Sequence, residues 1–351
     1  MFRAFACSLA LLILPLAAAS AQTALKKEDA EKMVIGLYAI SIAVDTCDLD
    51  MTKDQETRLE FWTEWAEKQL NIADRKLDKT YDTMEKEAEK NKKDFCEKMM
   101  PIATQALKAA PPDGSTVMLT IDHSHVMVPL TFKAPGYNPL TDFTPLAGVA
   151  SYYNVMALSG TIGVKTAPEF GAWLKAHPNQ ANYGIPAVGS VPQFAGILVG
   201  KSLGTPMVAV PYKGGAPLVQ DLLGGQVPAG FLSLTESIEH YRSGKMQILA
   251  VSGTTRAKAA PQVPTFQELG ISGIDMNPWL AFFGPKGLPP EFVTRFDAAV
   301  ATALADPDVI ERLSKLGNVP TYATPAQLQE WVVKATQHWG AVIKESGYEL
   351  Q

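Results

Sequence analysis

Cysteine is scarce in this chain: three residues in 351, at Cys7, Cys47 and Cys96. A disulfide-dense scaffold and a four-thiolate zinc centre are thereby excluded. Proline is missing altogether between Pro15 and Pro101. That absence suits uninterrupted helix, because proline lacks an amide donor and clashes with the preceding turn. After the first twenty or so residues no apolar run approaches the ~18 residues of a membrane-crossing helix. A basic surplus is lacking too, since 31 Lys and Arg stand against 36 Asp and Glu, for a net charge of −5. No nucleic-acid partner is expected from such a balance. The catalytic signatures H-E-x-x-H, the phosphate loop, the dinucleotide fingerprint and a G-x-S-x-G turn around Ser190 are all absent. The sequence therefore predicts neither an enzyme nor a bound cofactor.

What is present begins with an export signal. Arg3 supplies the positive start, 9–18 a short apolar run, and Ala19-Ser20-Ala21 a small-residue cleavage site. Residues 1–21 are expected to be removed, leaving a periplasmic chain that is not embedded in the membrane. Cys7 leaves with that segment. The remaining even pair, Cys47 and Cys96, is expected to form a disulfide in an oxidising compartment, with two free buried thiols as the alternative.

Composition then divides the chain. Roughly 40% of residues 24–109 are charged, against roughly 13% afterwards. Residues 22–109 read as a charged, all-α module. Met33, Leu37, Ile40, Val44 and Cys47 recur at spacings of four and three, and Leu59, Trp62, Ala66 and Leu70 make a second stripe. A single straight helix from Lys53 to Phe95 would be about 60 Å long. Cys47 and Cys96 could not then meet, since bridged Cα atoms lie within about 7 Å. A reversal is expected at 71–74, where Asn71 can end one helix and Asp74 cap the next. From residue 110 onward short apolar runs alternate with helical stretches, the mark of an α/β fold. Strands are expected at 117–121, 155–158, 208–210 and 248–251. Helices are expected at 168–176, 192–203, 217–223, 237–243, 290–305, 306–316 and 325–346.

Several motifs then recur in a fixed order. Pro112-Asp113-Gly114-Ser115-Thr116 comes first, followed by Tyr137-Asn138-Pro139-Leu140-Thr141-Asp142-Phe143-Thr144-Pro145. Tyr183-Gly184 with Gly189-Ser190, Val210-Pro211-Tyr212-Lys213-Gly214 and Asp221-Leu222-Leu223-Gly224-Gly225-Gln226-Val227 come next. Leu249-Ala250-Val251 with Arg256, and Pro261-Gln262-Val263-Pro264-Thr265 with Glu268 and Gly270, close the series. In this order the motifs resemble the Bug solute-binding proteins, the extracytoplasmic receptors of tripartite tricarboxylate transporters, over about residues 110–351. The resemblance implies an α/β, two-lobed fold of the periplasmic-binding-protein kind, with 110–148 plus 252–351 as lobe one and 149–251 as lobe two. It also implies a small carboxylate ligand and membrane subunits of a transporter as partners.

The departures are specific. Family members start with a strand, a Gly-Gly turn, a helix and a second strand before the Asp-Gly motif. This chain lacks that first strand-helix-strand unit and carries the helical module there. Ser115 replaces a usual aromatic, Gln193 a common His, and Pro228 a common Asp. Binding weaker than in a complete member is expected, because each lost charge-assisted hydrogen bond costs about 1.5–3 kcal/mol. The alternative is an interaction or sensory protein on a degenerate scaffold, with the helical module as its partner-binding part.

The resemblance implies ligand contacts from loops. Gly189 and Ser190 precede a helix, where backbone donors and the positive dipole end face an anion, although Ser190 also fits a plain N-cap. His123, Ser124 and His125 follow a strand end, where α/β clefts recruit contacts. The H-x-H spacing lacks the further ligands of a metal site, so no metal is expected. Tyr212 and Lys213 end another strand, one as a pocket wall or a packed ring, the other as a positive charge near the cleft or a solvated one. Trp279 is either part of the cleft mouth or an ordinary core residue.

Overall fold

The computed structural model describes residues 102–351 except 316, together with Glu64, Glu67, Lys79 and 81–86, all of these earlier ones helical. The expected signal segment, the Cys47–Cys96 disulfide and the reversal at Asn71 lie outside the described residues. The chain divides into two units, Met1–Met118 and Leu119–Gln351. In the first, α1 (Ile102–Ala109) carries Lys108 in its last turn, where a cation complements the dipole. It is followed by a tight turn in which the Asp113 carboxylate accepts the Ser115 amide at 2.8 Å.

The remaining elements form two sheets. The first contains β1 (Met118–Ile121), β2 (Phe143–Ser151), β8 (Trp279–Pro285) and β9 (Val319–Ala323), in the order β1-β8-β2-β9. The second contains β3 (Asn154–Ser159), β4 (Asn182–Ile185), β5 (Val208–Pro211), β6 (Ala229–Ser233) and β7 (Met246–Val251), in the order β5-β4-β6-β3-β7. The result is a two-lobed α/β fold. Among the described residues no strand precedes Met118.

The five-stranded sheet is covered on both faces, which is why its strands read as continuous apolar runs. All six residues of β3 are buried. Val155 and Ala157 face a cluster with Leu218 and Leu222 of α5 (Gly215–Leu223) and Ile238 of α6 (Leu234–Arg242). Met156 and Leu158 face the other way, toward Phe170 and Leu174 of α3 (Ala167–Ala176) and Ala195 and Val199 of α4 (Val191–Ser202). β4 runs parallel to both β5 and β6, so α4 and α5 serve as crossovers. β3 runs antiparallel to β6 and β7. The C-terminal ends of β4, β5 and β6 and the start of β3 thus lie along one edge of the sheet.

The four-stranded sheet is built on the long antiparallel pair β2–β8, whose register shifts at two places. Phe282 of β8 meets Phe296 of α7 (Pro290–Ala305) edge-on at 5.2 Å. On the other face, Gly148 of β2 lets Trp331 of α9 (Pro325–Ser346) approach: an added Cβ would stand 2.8 Å from its ring. A shorter α8 (Pro307–Lys315) links α7 to β9.

Two crossings join the sheets side by side. The chain leaves β2 at Ser151 and enters β3 at Asn154, and it returns after Val251. Ser252 ties the crossings together: its amide donates to the Asn154 carbonyl at 2.8 Å and its hydroxyl accepts the Asn154 amide at 2.9 Å. Its hydroxyl also donates to Asn277 Oδ1 at 2.9 Å, while the Tyr152 amide donates to the Pro278 carbonyl at 3.0 Å.

Two local expectations change. The helix expected at 237–243 starts at Leu234, because Ser233 and Glu236 form a capping box that sets its first turn. The segment 122–125 is not a loop: His123–Met127 is a π-helical turn that runs straight into α2 (Val128–Thr131), drawn in by the buried run Val126, Met127 and Val128.

The candidate ligand cleft

The loops after β4, β5 and β6 leave the five-stranded sheet on the side of the crossings. The first two are stitched together, with the Tyr212 amide donating to the Ile185 carbonyl at 2.8 Å and the Gly214 amide to the Pro186 carbonyl at 3.0 Å. This brings the 186–190 and 212–214 segments side by side.

Gly189 has φ +68°, a left-handed backbone that favours glycine. Ser190 then starts α4 in extended conformation. Its hydroxyl caps no amide and donates instead to the Ala187 carbonyl at 2.6 Å. The Gly189 amide, at the turn before α4, donates to Gln193 Oε1 at 2.7 Å. The same turn touches the other lobe: a Cβ on Gly189 would meet Thr131 Oγ1 at 2.6 Å. Nearby, Phe194 of α4 meets Tyr348 edge-on at 5.2 Å.

Tyr212 is half-buried, and its hydroxyl donates to Asp221 Oδ2 at 2.9 Å. Burial first, and then the bond and charge of Asp221, raise the phenol to about 12. The geometry is that of a packed ring whose polar end is taken. Lys213 beside it is exposed.

On lobe one, Asp122 directly follows β1, with only 4% of its surface exposed. Burial raises its carboxyl to about 7 against the pull of the His123 amide, its own amide and the Tyr152 phenol. His123 and His125 are both held neutral by burial, at about 4 and about 3. The His125 ring is enclosed, stacked on Phe283 at 4.0 Å and tilted against Phe143 at 4.9 Å. Neither ring has a hydrogen-bond partner among the described residues. Ser124 presents its carbonyl to the Tyr137 hydroxyl. Trp279 is buried with Nε1 unpartnered among the described residues, and its ring lies 6.0 Å from Phe283.

Two residues outside the sequence reading complete the region. Glu236 accepts the Ser233 amide and hydroxyl through Oε2, at 3.2 and 2.6 Å. Its Oε1 stands where a side chain on Gly215 would begin, 1.8 Å from the Cβ position. Tyr152 sits on the crossing: burial first, and then the charges of Asp122 and Glu236, raise its phenol. The S-x-x-E spacing at Ser233 was the signal that could have located Glu236. No metal-holding group of three or more His, Cys, Asp or Glu occurs among the described residues. A separate hollow of about 210 Å³ lies on the β7 edge of lobe two, bordered by Lys165, Thr166, Tyr241, Gln247 and Val263. It falls below the roughly 300 Å³ of a usual ligand pocket.

Comparisons with known proteins bear on this arrangement. The model of the tripartite tricarboxylate transporter family receptor matches residues 99–348. BugT of Bordetella pertussis is 30% identical over 251 residues, which are 71% of this chain and 77% of that protein. A protein from the ttuE–ttuC' intergenic region of Agrobacterium vitis is 30% identical over 245 residues, 68% of this chain and 69% of its own. Among solved structures, the periplasmic binding protein BugD is 29% identical with a TM-score of 0.66, covering 72% of this chain and 85% of that one. An R. palustris protein with adipate is 28% identical with a TM-score of 0.68, covering 72% and 85%. MatC from Rhodopseudomonas palustris with bound malate is 27% identical with a TM-score of 0.62, covering 70% and 84%.

Proposed function

Since the chain belongs to the tripartite tricarboxylate transporter family of receptors, which are binding proteins and not enzymes, we propose that it is a periplasmic receptor for a small carboxylate, delivering it to the membrane subunits of such a transporter. No helix among the described residues is long and apolar enough to cross a membrane. The adipate and malate held by the two R. palustris proteins indicate the ligand class.

The observation that carries the reading is the convergence on the crossing side. The 186–190 and 212–214 segments are bonded to one another, and the turn at Gly189 opens α4 toward lobe one. Backbone amides and a helix dipole are suited to a carboxylate without an arginine clamp. Gly189, Ser190 and Lys213 are the lobe-two contacts in this reading, and Ser124 with His123 those from lobe one. Tyr212 and His125 serve as packed walls behind them.

Weak affinity follows from the same geometry. A ligand oxygen must displace Gln193 from the Gly189 amide, and the Gly-rich turn of complete family members has no counterpart among the described residues. The test is a thermal-shift screen followed by calorimetry with adipate, malate and citrate. A bound ligand at a hundred times its Kd stabilises by about 2.7 kcal/mol. We expect at least one of the three to raise the melting temperature, with Kd above about 1 μM, or about −8 kcal/mol. A sub-micromolar Kd would remove the weakness argument, and no shift with any of the three at 10–20 mM, about the ceiling for a weak receptor site, would remove the receptor reading.

A second reading draws on one observation, the internal satisfaction of the Gly189 amide. If the cleft takes no solute, the scaffold serves an interaction or sensory role. Co-purification with two membrane subunits separates the readings.

A further inference from the structure

We propose that residues 347–351 form a strap that holds the cleft shut in the ligand-free protein: the segment is tied down on lobe one beside Thr131 and pins lobe two through Tyr348. The proposal concerns how the cleft opens. It rests on the receptor reading for its purpose and not for its test, which uses no ligand.

The strap starts where α9 stops. Gly347 takes φ +70° and its amide donates to the Lys344 carbonyl at 3.5 Å, a left-handed helix end that turns the chain off the helix axis. Ser346 steers the next residue. Its hydroxyl donates to the Ile343 carbonyl at 2.7 Å and accepts the Tyr348 amide at 3.2 Å. At the far end the Gln351 amide donates to the Thr131 carbonyl at 2.9 Å, and the Gln351 carbonyl accepts the Lys133 amide at 2.7 Å. A short segment fixed at both ends on lobe one is already ordered, so the contact it makes with lobe two carries little further entropic cost.

That contact is made by Tyr348. Its ring meets Phe194 of α4 edge-on at 5.2 Å, and Phe194 is fully buried. Phe194 lies on the first turn of α4, where its amide donates to the Ser190 carbonyl at 3.4 Å. The strap therefore grips the helix that carries the candidate ligand turn.

The other end of the strap reaches the same turn from lobe one. Thr131, whose carbonyl holds Gln351, is fully buried, and its side chain bears on Gly189: a Cβ there would meet Oγ1 at 2.6 Å. The Thr131 hydroxyl donates to the Met127 carbonyl at 2.7 Å, which fixes the side chain in that position. Two contacts between the lobes, Thr131–Gly189 and Tyr348–Phe194, are thus tied to one segment. Opening the cleft must part both. In the receptor reading the strap slows ligand entry and ligand escape alike. The helix α9 also touches the Gly273 loop, with His338 Nε2 3.1 Å from the Gly273 carbonyl. That contact belongs to the helix and stays in place in the variants below, so they report on the strap.

The experiment measures the distance between two spin labels on the ligand-free full chain. The labels are carried on ketone-bearing residues at exposed Lys175 in lobe two and Glu311 in lobe one, which leaves the cysteines untouched. The wild type should show mainly the short, closed distance. Tyr348→Ala removes the pin and should lower the closed-to-open ratio about tenfold or more. Gln351→Pro removes the amide held by Thr131 while keeping Tyr348, and should lower the ratio about two- to tenfold. Leu350→Ala, at a strap residue 43% exposed, should leave it unchanged. A wild type that is mainly open, or a Tyr348→Ala distribution equal to that of the wild type, overturns the strap. So does a Leu350→Ala effect as large as that of Tyr348→Ala. Should Tyr348→Ala fail to fold, Gln351→Pro decides alone: a lowered ratio supports the strap and an unchanged one overturns it.

Discussion

The two lobes solve the same packing problem with different completeness. In lobe two the five-stranded sheet has helices on both faces, and its buried polar groups are largely paired. The Tyr183 hydroxyl, for example, donates to the Gln193 carbonyl at 2.8 Å. In lobe one the face around β8 encloses His125 and Trp279, whose ring nitrogens have no partners among the described residues. An unpaired buried polar group costs roughly 1–3 kcal/mol. Lobe two is organised for stability, and lobe one holds a polar interior at a net cost. Family members place a further strand-helix-strand unit in lobe one, and in this chain no strand precedes Met118 among the described residues.

Mutations can break that comparison. The largest effect should come from lobe two's centre. Phe231 is fully buried, edge-on to Tyr183 at 5.3 Å and stacked with Phe266 at 6.3 Å. Phe231→Ala should cost about 3–5 kcal/mol by loss of burial and a cavity, read from urea unfolding. Next, His125→Phe keeps the stack on Phe283 and removes two unpaired nitrogens. It should stabilise the protein by about 1–3 kcal/mol. A loss of stability instead would mean that the imidazole has a partner and lobe one is as complete as lobe two.

A pH profile sharpens the same point. Burial depresses His125 to about 3. A depressed histidine contributes stability that is present above its unfolded value near 6.5 and lost as pH falls through the folded one. Wild type should therefore weaken between about pH 6.5 and 3 more steeply than His125→Phe, by chemical denaturation across that range. The smallest effect is Tyr183→Phe. Losing the bond to Gln193 should cost about 0.5–1.5 kcal/mol, and a neutral result would show that this pairing in lobe two contributes nothing.

The same contrast explains what could be read from the residues alone. β1, β3, β5 and β7 are apolar runs between turn signals, and their positions were legible. The helices at 290–305 and 325–346 were also legible, the latter fixed by the Thr324–Gln327 capping box. β4 and β6 were not, because each contains a glycine where a strand signal needs a branched side chain. The structure supplies the reason: a Cβ on Gly184 would stand 2.1 Å from Leu218, and one on Gly230 would stand 2.9 Å from Leu222. β2 was hidden by Pro145 and Gly148 at its register shifts. In the cleft, Gly189 and Ser190 were visible as a turn before a helix. Tyr152 and Glu236 were not, since Tyr152 lies on the crossing between the sheets and Glu236 in the first turn of α6, outside the recurring motifs.

Gly214 and Gly215 show how neighbouring identical residues can be needed for unrelated reasons, and the distinction is one of handedness. Gly214 has φ +88° with no atom within 4 Å of its Cβ position, so its requirement is for the sign of the backbone angle. A D-alanine installed there by semisynthesis has that sign by nature and should leave the loop intact, while L-alanine strains it. Gly215 begins α5 with ordinary helical backbone, and its L-side is filled by the Glu236 carboxylate. Inverting the stereocentre at 214 is therefore a conservative change, whereas adding a single methyl of natural hand at 215 must displace the Glu236 carboxylate.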